Sequence, residues 1–372
     1  MISKAQEWTL AMKWPNGDHS ISVRGANMTL GRVIFFLVCV CIPMPGWGQK
    51  SLKMVPEAPL TEAKARFSQG RAHAEAGRFA EAEVAYRGVI DMLVAKVGRS
   101  HHKVGSTYGS LSNVLRKQGK FAEATAAARA SLEILERTVG PKFPEVAVTL
   151  TYLAQAHRGE GQFIEAKGAL ERALEIRRAT LRGDHPLLAT TQGNLGGVLL
   201  ALGELDAAEQ AFKKQKSVAT QRFGADHAFI ASAEFSLAEV ALRRGDHEKA
   251  IEHGKRALAI FEKTVGADHP ESARVSQRLA LIYAKSARYN EAFEAVRRAL
   301  AIREKRLGPS HLSVAESLFL LGTLLEGAGQ KEEALGRLMK AAKIALEIHG
   351  EGHPLTQKYV RRAARLAPKK KP

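Results

Sequence analysis

Between Pro144 and Gly183 the apolar positions follow a helical period and not the alternation of a strand. Val146, Leu150, Leu153, Ala154 and His157 fall three or four residues apart. Gly159, Glu160, Gly161 and Gln162 break the pattern, and Phe163, Ala166, Leu170, Ala173, Leu174 and Ile176 resume it. Two antiparallel helices joined by a tight turn fit this stretch. The turn carries Gly161, a residue that ends a helix in the left-handed conformation without steric cost.

The same unit recurs at a spacing of 42 residues. His101, Phe143, His185, His227, His269, His311 and His353 lie on one register. Ala82, Ala124, Ala166, Ala208, Ala250, Ala292 and Ala334 lie on a second. Gly98, Gly140, Gly224, Gly266, Gly308 and Gly350 lie on a third, with Arg182 in its one gap. The inner turn repeats as Gly77, Gly119, Gly161, Gly203, Gly245 and Gly329, with Ala287 standing once for glycine. A period of this length over most of a chain predicts a solenoid built from one supersecondary unit. Seven helix pairs follow. First helices are expected near 61–76, 103–118, 144–160, 187–202, 229–244, 271–286 and 313–328. Second helices are expected near 79–97, 121–139, 163–181, 205–223, 247–265, 289–307 and 331–349. A last helix near 354–366, with Arg361, Arg362 and Arg365, gives the stack a polar cap.

Between units, Asp184-His185-Pro186, Asp268-His269-Pro270 and Gly352-His353-Pro354 put Pro at the first helical position and His at the N-cap. The pattern Leu153-Ala154, Gly161-Gln162-Phe163, Ala166, Ala173 resembles a tetratricopeptide repeat. The 42-residue spacing and the G-x-x-H-P linker resemble the longer subtype found in kinesin light chains and many bacterial repeat proteins. The resemblance spans roughly residues 60–366. It implies an all-α, right-handed superhelical solenoid whose first helices line a concave face that takes a protein or peptide. Ser112, Ala154, Gly196, Ala238, Ala280 and Gly322 are then the small positions against the partner helix. Helical spacing from them gives the groove lining: Asn113 and Arg116; Tyr152, Gln155 and Arg158; Asn194; Phe235 and Glu239; Arg274, Gln277, Arg278 and Lys285. By register Arg274 and Arg278 match the last two basic positions of the family's carboxylate clamp. Gly193, Gly197 and Ser236 stand where its other positions fall, so the clamp is incomplete.

The first 56 residues lie outside the repeat. Residues 1–27 read as a polar extension, with Met28 as a second candidate start. Val33 to Ile42 is an unbroken apolar run behind Arg24 and Arg32 and ahead of Pro43, Pro45, Gly46 and Gly48. Residues 28–48 therefore read as a signal peptide cut after Gly48, since a bilayer span takes about 20 apolar residues. A membrane tether is the alternative. Export implies a periplasmic or secreted protein. Residues 49–60 form a lead-in, 61–366 the solenoid and 367–372 a basic tail. Both cysteines and all three tryptophans precede residue 49.

The chain carries a net charge of +18. That favours anionic partners, an acidic protein or peptide first, with an anionic polymer, membrane surface or nucleic acid as the alternative. Much of the positive charge falls on second helices among carboxylates, as at Arg172, Arg177 and Arg178 beside Glu171 and Glu175. It reads as a solvated face of mixed sign. Gln215-Lys216 stands where other repeats have Ala-Leu, and reads as a tolerated departure.

Catalytic chemistry is not indicated. The six register histidines lie at least about 10 Å apart, one helix-packing distance, whereas zinc draws its ligands to about 2.0–2.3 Å. The chain has no phosphate loop of the G-x-x-x-x-G-K-[ST] form, no G-x-S-x-G elbow and no thiol beyond the apolar segment. The expectation is a non-enzymatic scaffold or adaptor without cofactor or metal. Its oligomeric state is not set by the sequence.

Overall fold

The computed structural model describes residues 8–13, 20–25 and 57–367. The chain divides into two units, Met1–Met54 and Val55–Pro372. In the first, Trp8–Lys13 (β1) and Ser20–Gly25 (β2) pair antiparallel, with Trp8 opposite Gly25 and Lys13 opposite Ser20. The sequence reading gave this stretch only as a polar extension. It overlooked a period-two alternation, Trp8-Leu10-Met12 and Ile21-Val23, too short to stand out beside the 42-residue repeat. The proposed signal peptide, lead-in residues 49–56 and the tail from 368 lie outside the described residues.

Among its described residues the second unit forms fifteen helices and no strand: α1 (Glu57–Glu75), α2 (Phe79–Val97), α3 (His102–Lys117), α4 (Phe121–Thr138), α5 (Pro144–Gly159), α6 (Phe163–Thr180), α7 (Pro186–Leu202), α8 (Leu205–Phe223), α9 (Ala228–Arg244), α10 (His247–Thr264), α11 (Pro270–Lys285), α12 (Tyr289–Leu307), α13 (Leu312–Gly327), α14 (Lys331–His349) and α15 (Pro354–Leu366). These are the seven expected pairs and the cap. The first helix begins at Glu57, four residues earlier than expected. Pro59 is no obstacle there, because N–H groups in a first turn have no intrahelical acceptor to lose.

Each helix start is fixed by its linker. His101, His185, His227, His269, His311 and His353 are all N-caps. In every case Nδ1 accepts the backbone N–H two residues on, at 3.0–3.2 Å. A ring nitrogen thus does the work usually given to Ser or Asp. Phe143 holds the seventh position without a side-chain bond. At the inner turns the six glycines have φ of 75–80°, and Ala287 adopts 57°. The turn closes with two bonds, as where Gly161 N–H meets Arg158 O at 3.2 Å and Gln162 N–H meets His157 O at 2.8 Å.

The core lies between the helices of each pair and between successive pairs. The alanine series from Ala82 to Ala334 is fully buried. Small positions on first helices face residues of varying size sixteen positions on. A Cβ on Gly196 would stand 2.6 Å from the Phe212 ring, and one on Gly322 2.7 Å from Leu338 Cγ. Glycine occurs there because its partner is large, so interior density is kept by trading volume across the pair. Ser112 fits for another reason: its hydroxyl donates to Ala124 O at 2.8 Å.

Gln215-Lys216 proves to be more than a tolerated departure. Gln215 is buried against Gly193. Lys216 reaches Glu234 Oε1 at 2.6 Å, and the other oxygen of Glu234 lies 2.6 Å from His253 Nδ1. Glu234 is only 1% exposed. Burial pushes its carboxyl up, but the bonds to His253 and Lys216 outweigh this and leave the pKa lowered. Sibling repeats hold Leu174 or Leu258 at the Lys216 position, Leu150, Gln192, Ser276 or Leu318 at Glu234, and Ala169, Ala211 or Ala295 at His253. Three departures thus form one compensated charge cluster.

Candidate functional site: the concave groove

First helices of neighbouring repeats meet through residues about 39 apart. Ser106 Oγ donates to Glu145 at 2.6 Å, Arg274 lies 4.0 Å over the Phe235 ring, and Arg278 Nε is 2.7 Å from Glu239. This offset sets groove positions of successive first helices side by side, from α3 to α5 and from α9 through α11 to α13. All twelve expected lining residues are half-buried or exposed. The small positions one step round each helix are buried, so the division between packing and lining agrees with the helical spacing.

The lining divides into two stretches of different chemistry. In α9 and α11 the charges neutralise each other. Arg278 pairs with Glu239, and Arg274 pairs with Glu271 at 2.5 Å while covering Phe235. Gln277 is tied down by Ser317 Oγ at 2.7 Å and by Arg303. Lys285 is exposed in the last turn of α11. The two arginines that match the family clamp by register are therefore occupied within the protein.

In α3 and α5 the groove arginines Arg116 and Arg158 have no carboxylate partner among the described residues, and α7 beside them carries no charge. Arg116 Nη2 donates to Asn113 Oδ1 at 2.8 Å, but its Nε is buried without an acceptor among the described residues. Burial lowers the Arg116 pKa, and the Arg158 charge adds to this against the opposing influence of Tyr152. Tyr152 has its phenol pushed up by burial, against the pull of Arg116 and Arg177. Arg158 is exposed, with Nη1 3.9 Å from where a Cβ on Gly197 would lie. Gln155 and Asn194 occupy facing positions by the 39-residue offset, and the Asn194 side-chain nitrogen is buried without a partner among the described residues.

Arg177 belongs to this stretch, contrary to the sequence reading of a solvated face. It is 4% exposed. From α6 its Nη1 bonds Thr191 Oγ1 on α7 and Leu187 O at 3.4 Å. Arg172, one and a half turns earlier, does behave as expected and pairs with Glu136 at 2.7 Å. The sequence held a signal for Arg177. Arg177 and Arg303 stand three periods apart, and so do their partners Thr191 and Ser317. Basic residues elsewhere are widely paired across units, as in Lys120–Glu83 at 2.8 Å, Lys167–Glu204 at 2.7 Å and Arg362–Glu326 at 2.6 Å.

Among the described residues no three His, Cys, Asp or Glu side chains converge on a metal position. Likewise, no described helix is long and apolar enough to cross a membrane.

Comparison with known proteins accords with this architecture. Models of the tetratricopeptide repeat match residues 145–221, 190–263, 229–305 and 271–347, with further matches at 104–145 and 63–87. No curated protein matches the chain. Among solved structures, BtubC (BKLC) from P. vanneervenii is 21% identical, with a TM-score of 0.52 over 64% of this chain and 94% of that one. A putative kinesin light chain from Podosopora anserina with nearly identical TPR-like repeats is 25% identical, with a TM-score of 0.49 over 56% and 99%. A Rap protein complexed with competence and sporulation factor is 17% identical, with a TM-score of 0.50 over 82% and 97%. In fold the helix pairs are similar to those of BtubC. With repeat models covering more than half of its length, the chain belongs to the tetratricopeptide repeat family.

Proposed function

We propose that this protein is a non-enzymatic scaffold that holds a protein or peptide segment in the groove of α3 to α13. The observation that carries the reading is the contrast between the two sides of each first helix. One side is closed by buried small residues, while the other presents polar and aromatic groups that vary along the array and stay accessible. A surface varied on a fixed frame is suited to reading an extended chain. That a Rap protein of this fold has been solved with a bound factor supports the same reading. An acidic partner suits the excess of positive charge. A diffuse polyanion reading is less well supported, because many basic side chains already have carboxylate partners.

Export belongs to the proposal and rests on the apolar run Val33 to Ile42 and its flanks. The partner is then sought in the cell envelope. Gly197 faces open space apart from Arg158, so Gly197→Trp should plug the groove at constant charge. Retention of envelope proteins on the immobilised chain should be lost with G197W. A polyanion binder would keep its ligand and show a steep loss with salt. Unchanged retention by the plugged variant would overturn the groove reading.

A further inference from the structure

Among the described residues, Arg116, Arg158 and Arg177 are absent from every ion pair of the solenoid. Arg116 and Arg158 stand on the first helices α3 and α5, and Arg177 is buried on α6, where it bonds Thr191 of α7. Arg116 and Arg177 are both within electrostatic reach of Tyr152, and Arg158 is within reach of Arg116. Three buried nitrogens there, Arg116 Nε, Arg177 Nε and Asn194 Nδ2, lack an acceptor. Leaving such a donor unmet costs about 1–3 kcal/mol, so three together call for an explanation.

The molecule contains its own control. Arg303 occupies the register of Arg177 three repeats later and is likewise buried. Its Nη1 meets Gln277 Oε1, Ser313 O at 2.8 Å and Ser317 Oγ at 2.9 Å, and the Glu316 carboxylate lies 3.6 Å away. At the Arg177 copy the positions of Glu316 and Gln277 are held by Thr190 and Thr151. The carboxylate that balances the later arginine is absent from the earlier one. Thr191 and Leu187 hold Arg177 in place, leaving its charge and its Nε without a counterpart.

We propose that the groove of α3, α5 and α7 is an oxyanion site, in which Arg116 and Arg158, with Tyr152 and Asn194, receive a carboxylate or phosphoryl group carried by a side chain of the bound peptide, and the buried charge of Arg177 adds to the attraction. The inference rests on the groove reading above and names the chemistry read there. Guanidinium groups suit it because their planar forks donate paired bonds to both kinds of oxyanion. It places the anion three repeats before Arg274 and Arg278, whose charges are already met.

Calorimetric titration of the full chain with inorganic phosphate at low ionic strength tests the site. Saturable binding is expected, weakened about tenfold by Arg116→Gln or Arg158→Gln, the loss of one charged hydrogen bond. Arg158 is exposed, so that variant folds even if Arg116→Gln does not. Arg172→Gln, outside the groove and paired with Glu136, should stay within about twofold of the parent. Absence of saturable binding, or an equal loss with R172Q, would overturn the site. The capped peptides Gly-Ser-Asp-Ser-Gly and Gly-Ser-phosphoserine-Ser-Gly then distinguish the sources by which competes better with phosphate. If neither competes, the oxyanion is not peptide-borne and the proposal fails. Phosphate binding that survives while G197W still retains its partner would count against the groove reading and leave the anion pocket standing.

Discussion

Ala287 holds a left-handed turn that glycine holds at six sibling positions, with φ of 57°. An L-residue is disfavoured there by about 1–2 kcal/mol, and the greater freedom of glycine in the unfolded chain returns part of that. Ala287→Gly should therefore stabilise the protein by about 1 kcal/mol, seen as a higher urea midpoint at unchanged slope. A lower midpoint would mean that the alanine methyl makes contacts worth more than the strain. His101 gives a second test. Its Nδ1 can accept the Lys103 N–H only while unprotonated. Burial, then the neighbouring His102 and Lys103, lower its pKa from 6.5. The unfolded chain therefore takes up the proton first, and stability from this cap is complete above about pH 6.5 and lost as the pH falls through the lowered value. His101→Asn, which caps without titrating, should flatten the dependence of stability on pH below 6.5. An unaltered slope would remove His101 from the acid response.

Among the elements, α8, α9 and α10 depart together from the repeat pattern. Glu234 is stable as a buried anion only because Lys216 and His253 both bond it. Removing one partner from a buried charge cluster costs about 3–5 kcal/mol, whereas replacing the whole cluster by apolar residues is often neutral or better. His253→Ala alone should thus destabilise the protein by about 3 kcal/mol. The triple change Lys216→Leu, Glu234→Leu, His253→Ala, which restores the residues of sibling repeats, should recover most of the loss. Failure of the triple variant to exceed the single one in urea would show that the siblings' packing does not transfer. The sequence displayed the polar pair at 215 and 216, but not its purpose. Lys216, Glu234 and His253 lie on three helices, and only the stacking of those helices brings them together.

For the whole molecule, a repeat array without long-range closure stores its stability in repeat interfaces. Denaturation of variants weakened in α8 to α10 should broaden and depend on the probe, since the neighbours of a weakened repeat lose an interface before the ends do. A single transition coincident by far-ultraviolet dichroism and by tyrosine absorbance would contradict this. The export proposal has its own measurement. Cleavage after Gly48 removes Trp8, Trp14 and Trp47 with Cys39 and Cys41. The chain isolated from its native envelope should then show tyrosine emission alone and no titratable thiol, and tryptophan emission would mean that the segment is kept.

What the sequence determined is whatever local chemistry repeats. Left-handed turns need glycine, helix starts need a cap, and close helix contacts need small residues. These needs recur every 42 residues, so six or seven copies of each residue reveal one rule. Helix pairs, linkers, the cap and the buried and accessible sides of each first helix were legible for that reason. The tertiary structure decided which charges remain available. Arg172 and Arg177 sit on the same helix in the same mixed-charge run, yet one pairs at the surface and the other turns inward onto Thr191. Arg278 matched the family clamp by register, but Glu239 on the neighbouring helix neutralises it. Both outcomes depend on a 39-residue offset between stacked helices. That offset comes from how one unit rotates against the next, and pairing at this range is set by packing across units and not by the spacing within any one of them.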